Sequence, residues 1–228
     1  MALTLKDLVV LLDQELQPRL FKDYCPNGIQ VDASVSPNAP VNKIVTGVTA
    51  CQALIDKAIE LKADALLVHH GYFWRGEEPV ITGIKRRRIE SLLANNISLI
   101  AYHLPLDAHP TLGNNAELAR LMGWTSVGGM EPDTKLSVGN WGTTRDEMSL
   151  DNLGNDIANT LGREPLMILG GNHSIKTIAW CTGAAQSMID KALNLGVDAF
   201  LSGEISESTV HFARENGIHY ISAGHHAT

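Results

Sequence analysis

Ala65-Leu66-Leu67-Val68-His69-His70-Gly71 is a short apolar run that ends in two imidazoles and a glycine. The run reads as a buried strand. Upstream, Lys43 to Thr49 reads as another strand, and Cys51 to Leu61 as a helix with Leu54, Ile55, Ala58 and Leu61 on one face. Strand, helix and strand form a βαβ unit, which requires a parallel pair and a right-handed crossover. Ligands of open α/β sheets sit at the carboxyl ends of the strands, where His69 and His70 fall. Successive strand residues point to opposite faces. A regular strand therefore does not aim both rings at one ion, and the pair implies a bend at Gly71 or two ions side by side.

The pattern recurs. Gln52-Ala53-Leu54-Ile55-Asp56-Lys57-Ala58, then Leu61, Asp64-Ala65 and Leu67, is matched by Gln186-Ser187-Met188-Ile189-Asp190-Lys191-Ala192, then Leu195, Asp198-Ala199 and Leu201. Each residue of the second copy lies 134 positions after its counterpart, as Gln186 follows Gln52. A register held this long predicts an internal duplication and two similar α/β lobes, residues 1–124 and 125–228. Continued two and three residues further, His69 and His70 fall on Gly203 and Glu204, which makes Glu204 a candidate site residue. Lobes facing one another across a pseudo-two-fold axis would bring these strand ends to a shared cleft.

Two more apolar runs end in histidine. Ile97 to Ala101 precedes Tyr102-His103-Leu104-Pro105-Leu106-Asp107, and Ile218 to Ala223 precedes Gly224-His225-His226. Imidazole with carboxylate suits zinc, iron or manganese, and the absence of clustered cysteine weighs against a structural thiolate site. Strand alternation turns His226 away from His225 and out of the site. Elsewhere, Thr4 to Leu16, Ile84 to Ala94, Ala116 to Met122 and Ser149 to Leu161 read as helices, with Thr4 placed to cap the first. Leu166 to Leu169 reads as a short strand. The Gly-, Ser- and Thr-rich stretch from about 123 to 172 reads as a connecting portion with little chemistry.

Composition narrows the class. The chain has 228 residues, 44% hydrophobic and 19% charged, enough for one large domain or two small ones. A formal charge of −7 weighs against direct nucleic-acid binding. No apolar run reaches the ~20 residues of a membrane span, and charge follows the start too soon for a signal peptide. Three scattered cysteines fit a reducing compartment, so a cytoplasmic protein is expected. Tyr72-Phe73-Trp74 reads first as core or subunit interface and second as a stacking surface for a purine. Lys85-Arg86-Arg87-Arg88 reads as a solvated helix face, and Arg75 is the better phosphate candidate.

The ordered set Asn27-Gly28-Ile29-Gln30-Val31, Val68-His69-His70-Gly71, His103-Leu104-Pro105-Leu106-Asp107, Leu112-Gly113-Asn114-Asn115, Ser202-Gly203-Glu204 and Gly224-His225-His226-Ala227-Thr228 resembles the GTP cyclohydrolase type-two, or NIF-three-like, family. The likeness is greatest to short bacterial members, which carry a sequence much like His69 to Trp74. The resemblance implies two interlaced α/β/α lobes, toroidal homohexamers and two divalent metal ions in a cleft between the lobes. It implies His69, His70, Asp107 and His225 as ligands, and a family pattern continuing past Thr228 with a bridging glutamate and a helix. Glu204 and His103 are then the candidate proton carriers or orienting groups. The activity implied is hydrolytic opening of the guanine ring of GTP by a metal-bound hydroxide, with loss of formate. The alternatives are a two-metal hydrolase of a phosphoester or another cyclic amide, and a non-catalytic hexamer that binds metal or a partner.

Overall fold

The computed structural model describes residues 3–134 and 136–228. The chain divides at Leu106/Asp107 into two compact units.

In the first unit, α1 (Leu5–Leu16) is followed by β1 (Gly28–Val31), β2 (Ile44–Thr49), α2 (Gln52–Glu60) and β3 (Ala65–His70). Next come α3 (Gly83–Ala94), β4 (Ser98–Ala101) and the short α4 (Leu104–Asp107), which ends at the division. The N-terminus of α1 is closed by a capping box between Thr4 and Asp7. Such a cap supplies two partners for helix amides that have none within the helix. The sheet order is β1-β4-β3-β2, with β2, β3 and β4 parallel and β1 antiparallel. Alternation along β3 sends Leu66 and Val68 into a core with Ile55 and Ala58 of α2 and Ile89 and Leu92 of α3. Ala65 joins Leu5, Leu8 and Leu16 of α1 on the opposite face. Each strand residue thus meets a helix on its own side, which makes this unit an α/β/α sandwich.

The second unit continues with α5 (Asn114–Met122), β5 (Thr125–Gly129), β6 (Asn140–Met148), α6 (Leu150–Leu161) and β7 (Leu166–Ile168). It closes with β8 (Ile175–Cys181), α7 (Ile189–Asn194), β9 (Ala199–Ser202), α8 (Glu207–Asn216) and β10 (His219–Ser222). Its six strands run in the order β5-β6-β8-β9-β10-β7. Leu118 of α5 and Leu153 and Ile157 of α6 pack with Ile178, Trp180 and Leu201 on one face. Ile189 of α7 and Ala213 of α8 pack with Ala179, Phe200 and Tyr220 on the other. The mixed α/β class is as expected, and both units are layered alike.

Two readings change. The division precedes the expected 124/125 boundary because α5 packs into the second unit's core through Leu118 and Ala119. The supposed connecting stretch holds β5 and β6 besides the expected α6 and β7, and β6 is a nine-residue strand at the heart of the sheet's antiparallel half. Its sequence, Asn140-Trp141-Gly142-Thr143-Thr144-Arg145-Asp146-Glu147-Met148, lacks the apolar alternation that marks a strand. Gly142 shows why glycine stands there: a Cβ would lie 1.9 Å from the Thr125 carbonyl oxygen across the β5–β6 pair.

The offset of 134 residues extends from sequence to hydrogen bonding. Ile44 pairs with Ala65 and Gly47 with Val68; at the same offset Ile178 pairs with Ala199 and Cys181 with Ser202. Asp64 Oδ2 accepts from the amides of Asn42 and Lys43, at 2.7 and 2.9 Å. Asp198 Oδ2 accepts from those of Lys176 and Thr177, at 3.0 and 2.8 Å.

Candidate metal centre

β3 delivers His69 and His70 to the carboxyl rim of the first sheet. Its ladder with β4 ends at Val68↔Ala101, whereas that with β2 continues to His70↔Thr49. His69 therefore lies past the end of β4, and its Nδ1 reaches the Tyr102 carbonyl oxygen at 3.0 Å. His70 Nδ1 is 3.2 Å from the Thr49 hydroxyl. The two rings stand 4.5 Å apart between centroids, tilted by 48°. Strict alternation does not hold at this strand end, so neighbouring residues share one location.

A third ring joins them. The His103 centroid is 5.0 Å from that of His69 and 5.7 Å from that of His70. One ring nitrogen from each of the three residues lies within 4.8 Å of the others, and the group could hold a metal ion. His103 is fixed from behind by Asp23, whose Oδ1 accepts from His103 Nδ1 at 2.6 Å. Asn27 Oδ1 accepts from the His103 amide at 2.8 Å, and Asn27 Nδ2 donates to Asp23 Oδ2 at 2.9 Å. Asn27 is thus a brace for both Asp23 and His103. Burial pushes the Asp23 carboxyl up, but the hydrogen bonds from His103 and Asn27, the His103 charge and the Tyr24 amide outweigh it and hold the group below the usual carboxylate range. Cys25 lies beside Asp23 and His103. Its burial, and then the Asp23 charge, push its thiol up to about 12, so it remains protonated at neutral pH.

Gly71 permits this arrangement. A Cβ there would lie 2.1 Å from Gln30 Oε1 and 2.8 Å from the Ala101 Cβ. Gln30 Oε1 accepts from the Tyr72 amide at 2.6 Å, which anchors the chain as it leaves β3. The aromatic cluster then divides. Tyr72 is buried with its hydroxyl on the Ala50 carbonyl, and Phe73 packs on the core. Trp74 instead meets the imidazoles, edge-on to His103 at 5.0 Å and tilted to His70 at 5.9 Å. Arg75 donates to the Asp23 carbonyl at 2.9 Å and lies over the Tyr24 ring. In the Lys85–Arg88 run, Lys85 pairs with Glu77 and Arg86 with Glu90.

The second unit holds the other candidates. Glu204, just beyond the end of β9, accepts from His225 Nδ1 through Oε1 at 2.6 Å, both side chains being partly exposed. Gly203 lets them approach, since a Cβ there would lie 2.8 Å from the His225 Cα. His225 and His226 lie in a turn after β10 rather than in a strand. The alternation used to set His226 aside therefore does not apply, although His226 is exposed and His225 half-buried. Asp107, buried at the end of α4, accepts from Asn114 Nδ2 at 2.8 Å. Asn115 Nδ2 donates to the Asp107 carbonyl at 3.1 Å, so the Gly113-Asn114-Asn115 motif orients this carboxylate. Asp23 escaped the sequence reading, and Asn27 entered it only through the family motif.

A protein of two α/β/α units, with converging imidazoles at the carboxyl rim of a parallel strand, is the class defined by this fold and geometry. The chain belongs to the family described as Duf34/NIF3 (NGG1p interacting factor 3), whose model matches residues 3–228. It is 51% identical to a Pseudomonas aeruginosa protein named GTP cyclohydrolase 1 type 2 homolog, across 100% of this chain and 88% of that protein. An Escherichia coli protein of the same name is 51% identical over 97% of this chain and 87% of its own length. A solved structure of protein ybgI, described as of unknown function, superposes with a TM-score of 0.92 at 50% identity, covering 98% of this chain and 87% of that one. Among the described residues, no helix is long and apolar enough to cross a membrane.

Proposed function

We propose that this chain is a metal-dependent hydrolase acting on the ring of a purine nucleotide, GTP in the first instance. The carrying observation is the meeting of ring nitrogens from His69, His70 and His103 within 4.8 Å. The donor set fits a divalent ion: His69 Nδ1 faces a carbonyl oxygen, which can only accept, so that nitrogen carries the proton and Nε2 offers its lone pair. His69, His70, Asp107 and His225 are the proposed ligands of two such ions, which supply Lewis acidity and lower the pKa of a water. Zinc, iron and manganese all suit imidazole and carboxylate. Asn114 holds the Asp107 carboxylate. Glu204 accepts a 2.6 Å hydrogen bond from His225 Nδ1, fixing its tautomer and standing ready to carry a proton. The Trp74 indole beside His70 offers a flat surface to a base. The names of the relatives support the nucleotide reading. A homohexamer is the proposed assembly.

Elemental analysis of metal per chain tests the first half: about two ions in the wild type, and fewer in His69→Ala and in His225→Ala. Formate release from GTP by the metal-loaded protein tests the second. Metal-loaded protein that releases no formate but cleaves a phosphoester would move the substrate and leave the centre in place. Sedimentation at micromolar concentration tests the hexamer.

A further inference from the structure

The loop that leaves β3 sorts its side chains around one backbone feature. Phe73 takes a left-handed conformation, φ 63°, which a bulky aromatic residue adopts only under strain. Tyr72 before it is buried, whereas Trp74 after it is half-buried and Arg75 is exposed. Trp74 is fixed through its amide on Glu77 Oε2, at 3.0 Å, and its Nε1 on the Gly71 carbonyl, at 3.3 Å. Arg75 is fixed through its amide on the Tyr24 carbonyl, at 2.7 Å, and Nη2 on the Asp23 carbonyl, at 2.9 Å. Its guanidinium lies over the Tyr24 ring, 5.5 Å from the centroid. That ring, 56% exposed, meets His103 edge-on at 6.4 Å. One aromatic ring therefore separates a guanidinium from the imidazole cluster.

The charge of Arg75 is not matched by a carboxylate. Arginine offers five N–H donors, and among the described residues the side chain of Arg75 uses them on the Asp23 carbonyl alone. Glu77, two residues on, is taken: it pairs with Lys85 at 3.1 Å and accepts from the Trp74 amide. Arg86 and Arg120 pair with Glu90 and Glu117 on their own helices. A planar guanidinium stacked on an aromatic face is held in orientation, and its free edge matches a pair of phosphate oxygens.

We propose that Arg75, held flat on Tyr24, binds a phosphate group of the substrate and selects nucleotides over nucleosides. The inference rests on the nucleotide reading above and deepens it by naming the group that makes the substrate a phosphorylated one. The substrate's ring faces Trp74 and the imidazoles, and its phosphate reaches past Tyr24 to Arg75. Tyr24 is a positioning residue that acts through Arg75.

The test uses the metal-free full chain, so that GTP is not consumed and no ion holds its phosphates. Inorganic tripolyphosphate is followed by phosphorus NMR line broadening, and GTP and guanosine by saturation-transfer NMR; the melting temperature monitors the fold. Wild type should bind GTP at least about 10-fold more tightly than guanosine at low salt. Arg75→Gln should weaken GTP and tripolyphosphate by about 10-fold and leave guanosine unchanged, and Arg75→Lys should recover part of the loss. Tyr24→Leu should weaken tripolyphosphate, while Tyr24→Phe, which keeps the ring, should match wild type. Raising the salt to about 500 mM should close the gap between wild type and Arg75→Gln, because exposed charges are screened. Equal binding of tripolyphosphate by wild type and Arg75→Gln, or an equal loss of guanosine and GTP in that variant, would overturn this proposal and leave the hydrolase reading in place. The expected binding pattern without formate release from metal-loaded protein would overturn the hydrolase reading and leave the phosphate site standing.

Discussion

β3 and β9 are built alike up to the residue where chemistry starts. Both take the parallel partner before them in one register, and both follow an aspartate that clamps two amides, just before that partner for Asp64 and near its start for Asp198. Beyond the clamp they diverge. β3 ends in His69-His70 and rims a three-ring cluster, while β9 leads to Gly203-Glu204 and a single carboxylate–imidazole pair. Their neighbours differ too. β2 lies at a sheet edge with Val48 exposed, whereas β8 is covered by β6 and is almost wholly buried. Backbone architecture and rim chemistry are therefore separable: the clamp and register set where the rim is, and the next two residues set what it does.

The sharpest way to break that separation is at the rim. His69→Ala should remove bound metal while leaving the sheet intact, read as metal per chain beside an unchanged far-ultraviolet circular dichroism spectrum. Loss of secondary structure in this variant would show that rim and frame are one. The glycines come next. Gly71→Ala drives a methyl into Gln30 and Ala101, and Gly203→Ala into the Gly183 carbonyl and the His225 backbone. Each should cost about 1–3 kcal/mol in urea unfolding. Gly71→Ala should cost less of this if Gln30 swings away, since its far end is the nearest obstacle.

The clamps are expected to matter somewhat less. Asp198→Asn should destabilise by about 1–2 kcal/mol, because the partly exposed carboxylate loses charge-assisted bonds but keeps acceptor oxygen. Burial raises the Asp198 carboxyl, but the Thr177 and Lys176 amides, the Thr177 hydroxyl and the His173 charge outweigh it and hold it low. A depressed folded value places this stabilisation fully above the unfolded value near ~3.9, and it is lost as pH falls through the folded one. Melts from pH 6 to pH 2 should converge for wild type and Asp198→Asn at the acid end; parallel curves would refute the assignment. The helix caps give the smallest contrast. Thr4→Ala removes a reciprocal capping box and should cost about 1 kcal/mol. Ser149→Ala removes a single 3.3 Å bond at α6 and should cost less, both read by chemical denaturation.

Legibility followed locality. The helices α1, α2, α3, α5 and α6 and the strands β2, β3, β4, β7 and β10 were readable to within a residue or two, since their signal lies in a window of a few residues, whereas β8 and α8 were not read. Glu204 was found through a repeat, a form of non-local information that the sequence happens to carry. Asp23 was not: its partner His103 lies 80 positions away, and a lone aspartate between prolines has no period or spacing. β6 was missed for a different reason. It pairs through its main chain on both sides, and that pairing leaves no apolar alternation in Asn140–Met148 to announce a strand.

β1 has four residues, a bulge between Ile29 and Val31, and an edge position against β4. A short edge strand that joins its partner across some seventy residues of chain forms late and opens early. The loop before it carries Asp23 and Asn27, so undocking of this one ribbon releases His103 while β2, β3 and β4 stay paired. Anything bound by the imidazoles then draws on the same free energy that keeps β1 in place. Ligand occupancy and amide-exchange protection of Gly28 to Val31 become two readings of a single equilibrium.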